Sequence, residues 1–183
     1  DPTTIVAMKF LGKLELAMSQ TSPLSVPHVA QKIIHLSLSY GMSPVSPIGF
    51  VYYGASLAKI GNIDEGYHYV KLALSLLDKV GSRENAGEVI AIGTQVRAYV
   101  EPLQAALEYH NEGYAAAMKA GDVNQAVCNS VLYNSISFFA GVNSEVMRGR
   151  IADSIRIMDQ RHQLVFMIQT QRQTRTMFRL MGT

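Results

Sequence analysis

Residues 54–74 read Gly54-Ala55-Ser56-Leu57-Ala58-Lys59-Ile60-Gly61-Asn62-Ile63-Asp64-Glu65-Gly66-Tyr67-His68-Tyr69-Val70-Lys71-Leu72-Ala73-Leu74. From Ile63, the apolar residues Ile63, Tyr67, Val70, Leu74 and Leu77 recur at steps of four and three, which marks one face of an amphipathic helix. Leu72, Ala73 and Leu76 widen that stripe, so the helix is expected to pack on two neighbours. Gly61 stands just before it. Glycine takes the left-handed conformation without steric cost and is favoured just past a helix end. Asn62, with Glu65 three positions later, has the spacing of a reciprocal N-terminal cap. The stretch therefore predicts a helix, a stop at Gly61 and a second helix.

The same punctuation extends in both directions. Breakers fall at Thr21-Ser22-Pro23, Gly41, Gly61, Gly81, Glu101-Pro102, Gly121 and Gly141, close to twenty residues apart. A helix of about 15 residues and a short turn fill that interval. Asp122 and Gln125 repeat the capping pattern after Gly121. Helices are predicted over about 4–20, 26–40, 47–60, 63–80, 84–100, 103–120, 123–140, 144–160 and 162–180. Pro44 and Pro47 predict an extended turn at 41–47. No stretch alternates apolar and polar residues as a half-buried strand does, and Val89-Ile90-Ala91-Ile92 lies inside a helix-length segment. The expected fold is all-α: a right-handed solenoid of antiparallel helical hairpins with about nine helices, forming a single domain over 1–183 around a continuous core.

Gly54, Gly61, Gly66, Val70 and Ala73 fit the small–glycine–small–bulky–alanine slots of a tetratricopeptide repeat, which the segment resembles; Leu57 takes the place of the usual tyrosine. Ala120-Gly121 through Ala126 resembles a second copy, with Ser130 in the bulky slot. Over residues 38–183, Tyr40-Gly41-Met42-Ser43-Pro44, Gly61 to Tyr67, Glu101-Pro102-Leu103 and Ala120-Gly121-Asp122 resemble the helical region of large multidomain signalling proteins. Gln171, Leu180 and Gly182 resemble the end of that region. In that family a kinase-like domain and an AAA-type ATPase module precede the helical region, and sensor domains with a histidine kinase or nucleotide cyclase follow. The resemblance implies a protein-interaction and regulatory role, with neighbouring domains or another protein as partner and catalysis elsewhere. The opening Asp1-Pro2-Thr3 and the apolar segments Val6–Leu16 and Leu164–Ile168 agree with a piece of a longer solenoid.

Composition fits stacked helices. Apolar residues make up 48 % and charged residues only 16 %, against about 25 % in an average soluble chain. The net charge of +2 is too small to argue for a nucleic-acid or membrane partner by itself. One cysteine, Cys128, excludes an intrachain disulfide. With no Asn-x-Ser/Thr sequon and no signal-peptide pattern, it points to a reducing, cytoplasmic setting. The longest stretch free of Asp, Glu, Lys and Arg, Ile33 to Ala58, is broken by Pro44 and Pro47 and reads as two buried helices rather than a membrane span.

The side chains that carry chemistry have structural readings. No phosphate-binding loop is present, since Gly12-Lys13-Leu14 lacks both the earlier glycine and the hydroxyl. His28, His35, His68, His110 and His162 show no zinc-ligand spacing and read as partly exposed polar positions. Cys128 reads as a small buried hydrophobe. Asp64 and Glu65 complement a helix dipole. Tyr40, Tyr52, Tyr53, Tyr67 and Tyr133 read as packing residues. No catalytic, cofactor or metal site is expected. Residues 141–183 carry seven arginines against three acids, a local +4. Arg172, Arg175 and Arg179 share one helix face, and Arg148 and Arg156 extend it. A solvated basic face, or a dock for an acidic neighbouring domain, is the first reading of these arginines. A nucleic-acid interface is the alternative, and it lacks the usual stacking aromatics, Phe166 and Phe178 being the only ones there.

Overall fold

The computed structural model describes residues 2–182; the outermost positions of the expected 1–183 domain, Asp1 and Thr183, lie outside the described residues. Nine α-helices follow one another among the described residues: α1 (Pro2–Thr21), α2 (Val26–Tyr40), α3 (Ser46–Lys59), α4 (Ile63–Val80), α5 (Ala86–Arg97), α6 (Leu103–Ala120), α7 (Val123–Phe139), α8 (Ser144–Gln160) and α9 (Leu164–Leu180). Single 3-10 turns precede α2 and α5, at Pro23–Ser25 and Arg83–Asn85. α5 is shorter than the spacing predicts, because the 3-10 turn takes its start and its backbone leaves the helix at Ala98.

Four helix ends close alike. At Gly61, Gly81, Gly121 and Gly141 the φ angle is positive. The next residue's N–H reaches back to the last helical turn, as Asn62 does to the Leu57 carbonyl at 3.0 Å and Asp122 to Ala117 at 2.9 Å. These paired bonds satisfy carbonyls that the helix leaves open. The following starts differ. Asp122 caps α7 by accepting from the Gln125 N–H at 3.0 Å, whereas the Asn62 side chain makes no capping bond. Of the expected caps, only the Asp122 side-chain half forms; the N–H groups of Asn62 and Asp122 both bond back to the preceding helix instead of to the residue three positions on.

Each helix packs on its chain neighbours. The odd-numbered helices also pack on one another, α1 on α3, α3 on α5, α5 on α7 and α7 on α9, while no comparable packing joins α2 to α4, α4 to α6 or α6 to α8. Burial follows this layering. α4 buries one stripe (Gly66, Val70, Ala73), as do α6 (Ala106, His110, Gly113, Ala117) and α8 (Met147, Ile151, Ser154, Met158). α3 is buried on nearly every side, from Ser46 to Tyr52 and at Gly54, Leu57 and Ala58. All of α3 except the exposed Lys59 lies in the uncharged stretch Ile33–Ala58, which fits its burial.

The core is not the single continuous one expected. The buried apolar residues fall into three clusters: a large one across α1 to α5, one around Val127, Val131 and Met158, and one around Met147, Ile151, Met177 and Phe178. The interruption comes from α7, which buries Asn129, Asn134 and Ser137 where large apolar side chains would join the clusters.

Candidate functional site

Between α3 and α5, on the odd-helix side, lies an open groove of about 250 Å³. Tyr52, Ala55, Ser56 and Lys59 come from α3, and Ile92, Gln95, Val96 and Tyr99 from α5 and the turn after it. Steps of three and four place each set on one face of its helix. Ser19 at the end of α1 and Val26 at the start of α2 close one side. Lys59, Gln95 and Tyr99 are exposed, so the rim is polar and the floor apolar. At the buried end, Tyr52 donates to Glu88 Oε1 at 2.9 Å. Burial raises the Tyr52 hydroxyl above its ordinary pKa, with the Glu88 charge and hydrogen bond adding, so this phenol is a donor and not a base.

A second, polar cavity of about 290 Å³ opens between α6, α7 and α8. Asn129 sets its chemistry. Its Nδ2 donates to the carbonyls of Gly87 at 3.0 Å and Gln125 at 2.9 Å, so Oδ1 is left to face His110 Nδ1 at 3.1 Å. The imidazole must therefore donate from Nδ1. Burial lowers its pKa, against the opposing Asn129 hydrogen bond, and the neutral ring leaves Nε2 as a bare acceptor without a protein partner. Across the cavity, the Arg150 guanidinium lies 3.8 Å from the Tyr133 ring centre and donates to Asn111 Oδ1 at 2.9 Å. Ser130 and Ser154 hydroxyls stand 2.9 Å apart. Ser130 fills the bulky slot of the second repeat-like copy, so a small polar residue borders the cavity there. His110 is thus buried, unlike the partly exposed histidine expected from the sequence; α6 turns it inward on the same stripe as Ala106, Gly113 and Ala117.

The repeat-like residues take structural positions. Gly54 on α3 and Gly66 on α4 face each other, a Cβ on either falling 2.6 Å from the other's carbonyl oxygen. Gly61 and Gly121 form turns, and Val70, Ala73 and Ala126 are fully buried. The two copies occupy opposite turns: Gly61 joins α3 to α4, whereas Gly121 joins α6 to α7. Arg172, Arg175 and Arg179 are exposed together on α9. Arg148 lies over the Phe178 ring of α9 at 3.9 Å, and Arg156 pairs with Asp153 at 2.9 Å. Phe178 is buried and Phe166 half-buried, so no aromatic platform stands beside the arginines.

Of the packing tyrosines, Tyr40 is exposed at the end of α2 rather than packed. Cys128 is half-buried, and burial, with the Glu88 and Asp122 charges adding, pushes its thiol up to about 11, against a nucleophilic role. Among the described residues no group of three or more His, Cys, Asp or Glu is arranged to hold a metal ion, and no helix is long and apolar enough to cross a membrane. Sequence reading missed Glu15, Glu88, Glu101 and Asn129, whose surroundings are set mainly by helices far along the chain. No family model matches this chain, and no curated protein matches it.

Proposed function

We propose that this chain is a non-catalytic, tetratricopeptide-like solenoid segment that binds a protein or a neighbouring domain of its own parent chain through the odd-helix side. The layering of α1, α3, α5, α7 and α9 carries this reading, because it places the groove of Tyr52, Ser56, Lys59, Gln95 and Tyr99 on a surface that successive hairpins extend. An apolar floor with a polar, aromatic rim is the composition of a protein-binding patch. In this reading the parent is a cytoplasmic signalling protein whose kinase-like or ATPase modules do the chemistry, and binding here shifts the helices and so biases those modules.

The test is a triple substitution, Lys59→Glu, Gln95→Glu and Tyr99→Ala, in the full-length parent. All three residues are at the rim, so the fold is expected to persist. Loss of regulation, or of a cross-linked neighbour at this face, is the expected result. Unchanged regulation and unchanged neighbours remove the proposal. The alternative, a nucleic-acid interface, has only the exposed Arg172, Arg175 and Arg179 in its favour. Salt-dependent retention on a DNA or RNA column, lost in a triple Arg→Gln variant, would favour it.

A further inference from the structure

One face of α1 consists of Met8, Gly12, Glu15 and Ser19, spaced four, three and four apart; α1 packs on α2 and on α3, and this face borders Val45 and Ile48 at Gly12 and Tyr52 and Ile92 at Ser19. Gly12 leaves room for the Val45 side chain just before α3: a Cβ there would stand 2.9 Å from Val45 Cγ1. Three positions on, Glu15 is fully buried, and neither of its carboxyl oxygens has a hydrogen-bond partner among the described residues. The Tyr52 hydroxyl of α3, which the Glu15 charge influences, donates to Glu88 of α5 instead. A long acidic side chain has thus been placed at the centre of a helix–helix contact with nothing to receive its charge. Burying an unpaired ionised carboxylate costs several kcal/mol, and such a group takes up a proton instead.

We propose that α1 is a proton-controlled cover over the inner face of α3 and α5, docked while Glu15 is uncharged and released when Glu15 ionises. The groups facing this contact are few. α3 contributes Tyr52, and α5 contributes Glu88, with Glu84 further along the same contact. α1 itself contributes Lys9 and Lys13 beside Glu84, both exposed. His28, Lys32 and His35 of α2 are exposed on the opposite side from its buried stripe. Behind Glu88, Asp122 and Cys128 add no positive charge. Burial, with the Glu88 charge adding, pushes the Glu15 carboxyl up to about 8. Burial also raises Glu88, against the Tyr52 hydrogen bond and Lys13, so the contact holds one carboxylate charge more readily than two.

The sign follows from linkage. Docked α1 binds the Glu15 proton more tightly than released α1, whose carboxyl returns to about 4.3 in water. Docking is therefore complete below that value and is lost as the pH rises through about 8, by roughly tenfold in the docking equilibrium per pH unit between them. Release uncovers Val45, Ile48, Tyr52 and Glu88 and lengthens the groove between α3 and α5. The cover stands on its own geometry and is tested without any partner.

The experiment measures α1 amide exchange from pH 5 to pH 9 on the whole chain, each rate referred to its intrinsic value at that pH, together with the Glu15 carboxyl carbon shift by NMR. Wild type is expected to lose α1 protection about tenfold per pH unit up to about pH 8. Glu15→Met, similar in length and without charge, is expected to keep α1 protected and pH-independent. Gly12→Val, which drives a side chain into Val45, is expected to leave α1 unprotected at every pH while α3 and α5 stay protected. Flat protection in wild type, a pH slope that persists in Glu15→Met, or Glu15 titrating in the ordinary carboxylate range under a protected α1 would each overturn the proposal. Loss of α3 and α5 protection in Gly12→Val would overturn it as well, since α1 would then be part of the core.

Discussion

The Tyr67 hydroxyl donates to Glu101 Oε1 at 2.8 Å, tying α4 to the turn between α5 and α6. Tyr109 of α6 donates to the other oxygen at 2.9 Å, and Arg97 of α5 donates to Oε1 at 2.9 Å while its guanidinium lies 3.4 Å from the Tyr109 ring centre. One carboxylate thus gathers three helices, at an interval where Glu101-Pro102 stands in place of a glycine. Burial alone would raise the Glu101 pKa; the hydrogen bonds from Arg97, Tyr67 and Tyr109 outweigh it, and the net shift is downward.

Glu101→Ala is expected to destabilise the fold by about 2 kcal/mol, the scale of hydrogen bonds to a charged group, read as a lower midpoint in urea. Because the folded pKa is depressed, the charge stabilises the fold above the ordinary glutamate value of about 4.3 and that stabilisation is lost as the pH falls through the folded value. Glu101→Gln is expected to flatten this acid limb, and an unchanged limb would refute the role.

Gly54 and Gly66 meet backbone to backbone. Gly54→Ala or Gly66→Ala sets a methyl group 2.6 Å from a carbonyl oxygen, which cannot rotate away. Each is expected to cost about 2–3 kcal/mol, in the upper range of overpacking costs. Gly149→Ala on α8 is the control: nothing lies within 4 Å of its added Cβ, so helix propensity alone acts and stabilises by about 1 kcal/mol. Thermal melts of the three variants check the contrast.

His162 holds the left-handed position that glycine holds after α3, α4, α6 and α7, with φ +56°. Its N–H reaches the Asp159 carbonyl at 3.0 Å, and Gln163 N reaches Met158 at 2.8 Å, the same closing pair. A non-glycine residue pays about 1–2 kcal/mol there, partly offset by glycine's greater freedom when unfolded. His162→Gly is expected to raise stability by about 0.5–1 kcal/mol, and a lower melting temperature would contradict it.

Asn129 joins α5, α6 and α7 through Gly87, His110 and its own helix. Asn129→Ala strands His110 Nδ1 in the interior and removes a second bond to the helical Gly87 carbonyl, and is expected to cost about 2 kcal/mol, one buried orphan costing about 1–3. The lowered His110 pKa has its own signature. The unfolded ring protonates below about 6.5 while the folded one resists, so stability falls as the pH drops from that value toward the folded one. Comparing denaturation midpoints of wild type and His110→Gln between pH 7 and pH 5 isolates the effect.

The twenty-residue rhythm was legible because a helix end is a local event: a glycine or proline sets it, and the apolar steps of three and four between breakers follow from 3.6 residues per turn. α8 ends on time even though His162 stands where glycine was due. By itself, then, the sequence determined the all-α class, the order of the helices and nearly all their ends. Tertiary structure alone decided which helices form the odd-numbered layer, that α7 divides the core with Asn129 and Asn134, and that Glu15 and His110 turn inward. The physical reason is the same in each case. A side chain's charge, burial and hydrogen bonds depend on residues tens of positions away, as in Tyr52 with Glu88 or Tyr67 with Glu101, and periodicity along one helix carries no record of what the next helix places opposite it.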